Sequence, residues 1–308
     1  KTKKRQCYAY HHVQGVGGST LHFTGEAHRL HPRAFKMRTD FDVAADWPIS
    51  YNDLTNYYSQ AEEVLGVSGP VKGYYYNRPS PLPAHNSSYA SQTFGKGCAK
   101  LNINWEANPV SAPSQSYRGR PNCNYCGGCN RGCQRGDKGS TDITFIKEAR
   151  QTQGLTILTE THVLKLASDK NGNIDSITIS SASGKISKIA VHKRPVILAC
   201  GAIETPRLLL NSRSTTFANG LANSSGQVGK NLMETLAWNA AGLHAGPLGS
   251  HRGHPSDSIC WTYNAPDSIP NVIGGCRFSP SMAEADLIGP INYALRVVPV
   301  SGPSHLKQ

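Results

Sequence analysis

The 308-residue chain has no run approaching the ~20 apolar residues of a membrane-spanning helix. Its basic start, Lys1-Thr2-Lys3-Lys4-Arg5, is not followed by the apolar segment of a signal peptide. Charged residues are scarce at 17 %, which argues against wholesale disorder, and the 38 % hydrophobic share is lower than usual. Methionine is scarcer still: there are three, none before Met37. The stretch Val297-Val298-Pro299-Val300-Ser301-Gly302 then stops in strand-like sequence without a closing element. These two features predict a piece of a longer protein. No internal repeat is visible, and the length excludes a short disulfide-stapled peptide.

What the chain does have is 30 Gly and 19 Pro, which predict many tight turns and few long helices, and a net charge of +12. Such a charge favours acidic partners. Beyond the first five residues, however, Lys and Arg are scattered, with no helical stripe interleaved with aromatics, so a nucleic-acid groove is not expected. Five of the nine Cys (Cys7, Cys98, Cys200, Cys260, Cys276) are isolated and read as small buried apolar residues. His11, His12, His28, His31, His251 and His254 lack metal spacing and read as satisfied or surface histidines.

Along the chain, Asp53 is a plausible N-cap for an amphipathic helix running to Leu65 and closed by Gly66, with Tyr57, Tyr58, Ala61, Val64 and Leu65 as its packing face. From Gly69 to about Pro121 there is little periodicity, which reads as a long surface excursion or lid. Asp142 to Arg150 reads as a helix. Short strands are expected at Leu155–Thr159, His162–Leu166, Ile174–Ile179 and Ile186–Val191, with Asn171-Gly172 and Ser183-Gly184 as turns. Pro195–Cys200 reads as a strand buried on both faces of a parallel sheet, running into Gly201-Ala202 and a helix with Thr205 as N-cap and Pro206 in its first turn. Strand, small-residue turn and helix N-terminus together form the unit of a dinucleotide-binding sheet.

Two motifs carry chemistry. In Gly15-Val16-Gly17-Gly18-Ser19-Thr20-Leu21-His22-Phe23-Thr24-Gly25, consecutive glycines let the backbone approach a phosphate or a planar ring, although Thr20 stands where the third glycine of G-x-G-x-x-G belongs. Cys123-x₂-Cys126-x₂-Cys129-x₃-Cys133 has the bacterial ferredoxin spacing with Gln134 in place of the usual Pro. A zinc knuckle fits that run less well, and a disulfide set or reduced structural thiols are its other readings.

The segments Gly17–Phe23, Asp46-Trp47-Pro48-Ile49, Cys200–Leu209 and Gly226–Glu234 occur in that order. Together they resemble the glucose–methanol–choline family of FAD-dependent oxidoreductases, especially its sugar and gluconate dehydrogenase branch, over most of residues 8 to 240. The resemblance implies an α/β fold: an FAD-binding doubly wound, Rossmann-like domain (1–68 and 110–240, with the Cys-rich loop 123–133) and an antiparallel-sheet substrate domain starting at 241–308, both incomplete. Residues 69–109 would be the extended lid. It also implies that Gly17, Gly18 and Ser19 line the flavin and pyrophosphate, that Thr24 and Gly25 continue past the ring, and that Val163 meets the adenine end through its backbone. Gly201 and Ala202 would lie beside the cofactor, and His22 stands where some members bond covalently to the flavin. Some sugar dehydrogenases of the family carry an iron–sulfur cluster on a Cys-rich loop of different spacing, so Cys123, Cys126, Cys129 and Cys133 are candidate metal ligands.

The activity so implied is oxidation of an alcohol or sugar hydroxyl by hydride transfer to FAD, with electrons passed to a protein or quinone rather than to NAD(P). The alternative is an iron–sulfur electron carrier using the Cys loop. The family's base is a histidine paired with His or Asn near the C-terminus. No such segment occurs before Gln308 and His305 lacks the motif around it, so no catalytic residue is assigned here, and these 308 residues alone are expected neither to hold FAD well nor to turn over.

Overall fold

The structure is a computed structural model that describes residues 13–236, 240, 244–249 and 253–280. Lys1 to Arg5, Cys7, His11, His12, His251, His305 and the stretch 297–302 lie outside the described residues. In chain order the elements are α1 (Met37–Phe41), α2 (Tyr51–Leu65), β1 (Ser68–Gly69), β2 (Leu82–Pro83), α3 (Tyr89–Lys100), β3 (Glu106–Ala107) and α4 (Phe145–Gln151). They continue with β4 (Thr161–Ser168), β5 (Ile174–Ser181), β6 (Ile186–Ala190), α5 (Gly201–Asn211) and β7 (Ser258–Ile259). Two compact units result, one of residues 1–155 with 241–308 and one of 156–240.

In the first unit α2 begins one turn earlier than an Asp53 cap would allow. Ser50 is the N-cap, and Asp53 closes the capping box by accepting from the Ser50 backbone N–H at 2.8 Å. Gly66 ends the helix with φ 67, as its position predicts. Of the expected packing face, Tyr58, Ala61, Val64 and Leu65 are half-buried and Tyr57 is 66 % exposed, while the fully buried residues are Ser59 and Glu62. The reason is polar: buried Arg29 sits against that face and takes Glu62 and Ser59 as partners.

The stretch 69–109 is not an unstructured excursion. It contains β2, α3 and β3, and α3 is capped by Ser88, whose backbone N–H in turn donates to the buried Asp257 carboxylate at 2.6 Å. β1 pairs in parallel with β2, and β3 antiparallel with β7. Val110, Ala112 and Cys123 form the buried apolar centre. Of the isolated cysteines, Cys98 and Cys260 are buried as expected, while Cys276 is exposed and Cys200 half-buried.

The second unit is the antiparallel meander β4-β5-β6 with α5. Asp169 Oδ1 accepts the Asn171 and Asn173 N–H groups, and Gly172 takes φ 85, so Asn171-Gly172 turns the chain as its residue types predict. Leu166 on β4 and Leu208 on α5 are buried with Leu221, flanked by Ile174, Ile177 and Leu198.

Two strand expectations are not met. Residues 155–159 form no strand, and neither does Pro195–Cys200, where Ile197 is 87 % exposed. A central strand of a parallel sheet needs a neighbour on each side, and the described residues supply none here. The helix after it also starts sooner than expected. Gly201 turns the chain at φ 85, so α5 begins there with Cys200 as N-cap, and Pro206 falls inside the helix. Thr205 Oγ1 accepts from the Cys200 N–H at 3.2 Å rather than capping a later start. The chain is thus mixed α/β, with parallel pairing among the described residues confined to β1 and β2.

Candidate functional site

The glycine loop lies in the first unit. Gly17 adopts φ 105 and Gly18 φ 54, backbone that glycine reaches without a Cβ penalty. A Cβ at Gly17 would press on Leu21 and Asp142, whereas one at Gly18 would meet nothing within 4 Å. The loop is therefore closed on one side and open on the other.

What holds it is the segment 138–142, which the motif reading did not single out. Thr141 Oγ1 donates to Gly17 O at 3.0 Å, and the Thr141 N–H donates to Thr20 Oγ1 at 3.0 Å. Thr20 Oγ1 itself donates to Gly17 O at 2.6 Å. Further along, the buried Gly25 carbonyl accepts from Ser111 N–H at 2.6 Å, while Ser19 is exposed and Thr24 half-buried. Asp142 Oδ1 is buried without a hydrogen-bond partner among the described residues.

His22 is exposed, and its Nδ1 lies 2.8 Å from Asn130 O. A carbonyl only accepts, so in the neutral ring Nδ1 carries the proton and Nε2 bears the lone pair. Val163 and Gly201-Ala202 belong to the second unit: Val163 on β4 opposite Ile179, next to an irregularity in the ladder, and Gly201-Ala202 as the first residues of α5.

The four clustered thiols line one pocket with Lys138 and His254. Cys123 and Cys129 are buried, Cys133 is half-buried and Cys126 exposed, and all four are free. Cys123 Sγ accepts from Tyr125 N–H at 3.4 Å and Cys133 Sγ from Lys138 N–H at 3.3 Å. Burial pushes the Cys129 thiol up to about 12, against the opposing pull of Lys138. Among the described residues no three His, Cys, Asp or Glu side chains lie close enough to hold a metal ion.

Of the two readings of His254, satisfied or surface, the structure bears out the first. It is fully buried, Nδ1 accepts from Ser256 N–H at 3.2 Å, and Nε2 lies 3.8 Å from Cys129 Sγ. Burial, with the neighbouring His85 and Lys138, lowers its pKa to about 3. Nothing in the spacing around residue 254 signals this; only the return of the chain to the Cys loop does.

His85 stacks on His254 at 5.6 Å, accepts from Tyr125 OH at Nδ1 and donates to Ala112 O at 2.7 Å. Burial lowers its pKa, offset in part by the Ala112 carbonyl and the charge of Asp257. The unfolded chain takes up a proton near the ordinary value of ~6.5 that the folded state refuses. The stability this group contributes is thus present above ~6.5 and lost as pH falls, by up to about 1.4 kcal/mol per pH unit. His85→Gln is expected to flatten the fall in urea-unfolding free energy between pH 7 and pH 5; an unchanged slope would contradict it.

The GMC oxidoreductase profile matches residues 33–237, about two-thirds of the chain. Fructose dehydrogenase large subunit of Gluconobacter japonicus is 28 % identical over 76 % of this chain and 43 % of its own length. Paromamine 6'-oxidase of Streptomyces fradiae is 27 % identical over 85 % of this chain and 50 % of its own. Gluconate 2-dehydrogenase flavoprotein of Pantoea cypripedii is 26 % identical over 74 % and 42 %. The chain spans about half the length of these relatives. A left-handed glycine pair pinned by a Thr-bearing segment is therefore found in a chain that belongs to the GMC oxidoreductase family.

Proposed function

We propose that this chain forms the ring-binding part of an FAD-dependent oxidoreductase that oxidises an alcohol or sugar hydroxyl and passes the electrons to a protein or quinone rather than to NAD(P). The observation that carries the reading is the glycine loop: open at Gly18, closed behind Gly17, and set in a chain of this family. Relatives named for fructose, gluconate and 2-methyl-1,2-propanediol support a hydroxyl-bearing substrate.

FAD fits the loop, because a flat ring or a pyrophosphate can approach backbone at Gly18 without meeting a side chain. Gly17, Gly18 and Ser19 would hold it, with Thr24 and Gly25 beyond. When bound, FAD supplies the hydride acceptor for the substrate carbon. The protein's share is to orient the ring and keep the loop rigid. His22, with Nε2 bearing the lone pair, is the proposed point of covalent attachment.

The test is dye reduction by enzyme made from the full reading frame, given alcohols and sugars with FAD. Substrate-independent rates throughout would refute the assignment. In acid-precipitated protein, colour retained in the pellet and lost in His22→Asn supports attachment; colour wholly in the supernatant refutes it. Gly18→Asp is expected to lower the thermal midpoint only modestly, since its side chain enters open space and Asp is among the residues that reach φ 54 at least cost. Bound FAD should fall tenfold or more, because the new carboxylate faces a pyrophosphate.

A further inference from the structure

Lys138 has a place that neither motif explains. It is 1 % exposed, and its Nζ donates to Leu21 O at 2.9 Å, Phe23 O at 2.7 Å and Cys129 O at 2.6 Å. It also lies 4.8 Å from the centre of the Phe23 ring. An ammonium has three N–H donors, so three carbonyls satisfy it. A buried cation is costly without such oriented acceptors, and a compact lysine head suits converging carbonyls better than the planar fork of arginine.

The identity of those carbonyls matters. Leu21 and Phe23 are the residues on either side of His22, so the ammonium grips the backbone of the loop on both flanks of the imidazole. The third carbonyl begins the Cys129–Arg131 turn, whose Asn130 carbonyl takes the His22 Nδ1 proton. One buried cation therefore joins the loop that carries His22 to the turn that orients its ring.

We infer that Lys138 is the positioning residue for His22: it clamps the Leu21–Phe23 backbone to the 129–131 turn and so sets the imidazole tautomer and the direction in which Nε2 is presented. This rests on the reading of His22 as facing FAD, but the clamp itself is a property of the flavin-free chain. It also gives the Cys-rich loop a task that needs no metal, because that loop is the platform on which the flavin loop is held.

The test compares wild type with Lys138→Met, which keeps the stem and loses the charge. The second variant is Lys138→Arg, which keeps the charge but not the three-carbonyl geometry and serves where the first fails to fold. On flavin-free protein, imidazole nitrogen NMR reads the His22 tautomer, and hydrogen exchange reads the His22 amide, which donates to Ser19 O at 3.1 Å. Expected are a wild-type ring protonated at Nδ1, a tautomer mixture in the variants, and exchange about tenfold or more faster at residues 19–24. The Ser68 and Val110 amides, which pair with each other elsewhere in the unit, should stay protected. With FAD, the colour retained in the acid pellet should fall in the same order.

A wild-type tautomer and wild-type loop exchange in the variants would overturn the inference. So would a loss of protection spread evenly over the unit, which would make Lys138 an ordinary core residue. If wild type takes up no FAD while the tautomer and exchange respond as expected, the functional reading fails and the clamp stands.

Discussion

Arg29→Met is expected to lower the unfolding free energy by about 3–5 kcal/mol, the range for removing one partner of a buried ion pair. Arg29 Nε and Nη2 donate to the two Glu62 carboxylate oxygens at 2.7 and 2.6 Å, and Nη2 also donates to Ser59 at 3.2 Å. The guanidinium lies 4.7 Å from the centre of the Tyr76 ring. Burial alone would lower the Arg29 pKa, yet the hydrogen bonds it donates to Glu62 and Tyr51 and the Glu62 charge raise it overall, so the guanidinium stays charged. Taking the arginine away leaves the Glu62 carboxylate, 11 % exposed, without its cation. Glu62→Gln should be comparably harmful. The double variant Arg29→Met/Glu62→Leu should recover part of the loss, because no buried charge is then orphaned. Urea unfolding measures all three, and a loss below about 1 kcal/mol in Arg29→Met would show that water screens the pair after all.

Gly139→Val should be of similar severity, above about 3 kcal/mol. A Cβ there would collide with the Leu65 carbonyl and the Ser111 hydroxyl and stand 3.0 Å from Arg120 Nη1. These neighbours cannot step aside cheaply. Leu65 O accepts from Arg120 Nη2 at 2.8 Å, and the Gly139 N–H donates to Ser111 O at 2.7 Å. The segment must move instead, and Lys138 and Thr141 move with it. Gly139→Val should therefore unpin the glycine loop even where the protein still folds, which faster exchange at residues 17–25 would reveal. A variant with wild-type stability and a wild-type loop would refute both halves of the argument.

The loop geometry was legible residue by residue. Gly17 and Gly18 announce positive φ because no other residue reaches it so freely, and His22 stands at its spacing from them in the chain itself. The C-terminal end of α2 and the turns of the β4-β5-β6 meander were legible too, since Asp, Asn and Gly act there on their immediate neighbours. The α2 packing face was legible only in part, because periodicity counts apolar residues and the most buried side chain pair on it, Ser59 and Glu62, packs on a buried arginine 33 positions away from Glu62. Pro195–Cys200 misled in the opposite direction: an apolar run is written locally, but whether a strand lies on each side of it is not.

The sequence by itself determined the family, through the ordered motifs that mark a GMC oxidoreductase, and it named the candidate residues: the glycine loop, the histidine and the cysteine run. Only the tertiary structure decided how they are held. Lys138, Thr141, Asn130 and His254 lie 9 to 125 positions from the groups they contact. Hydrogen bonds and ion pairs act over a few ångströms, so partners far apart in the chain leave no mark on local composition, and the clamp under His22 exists only once the fold has brought them together.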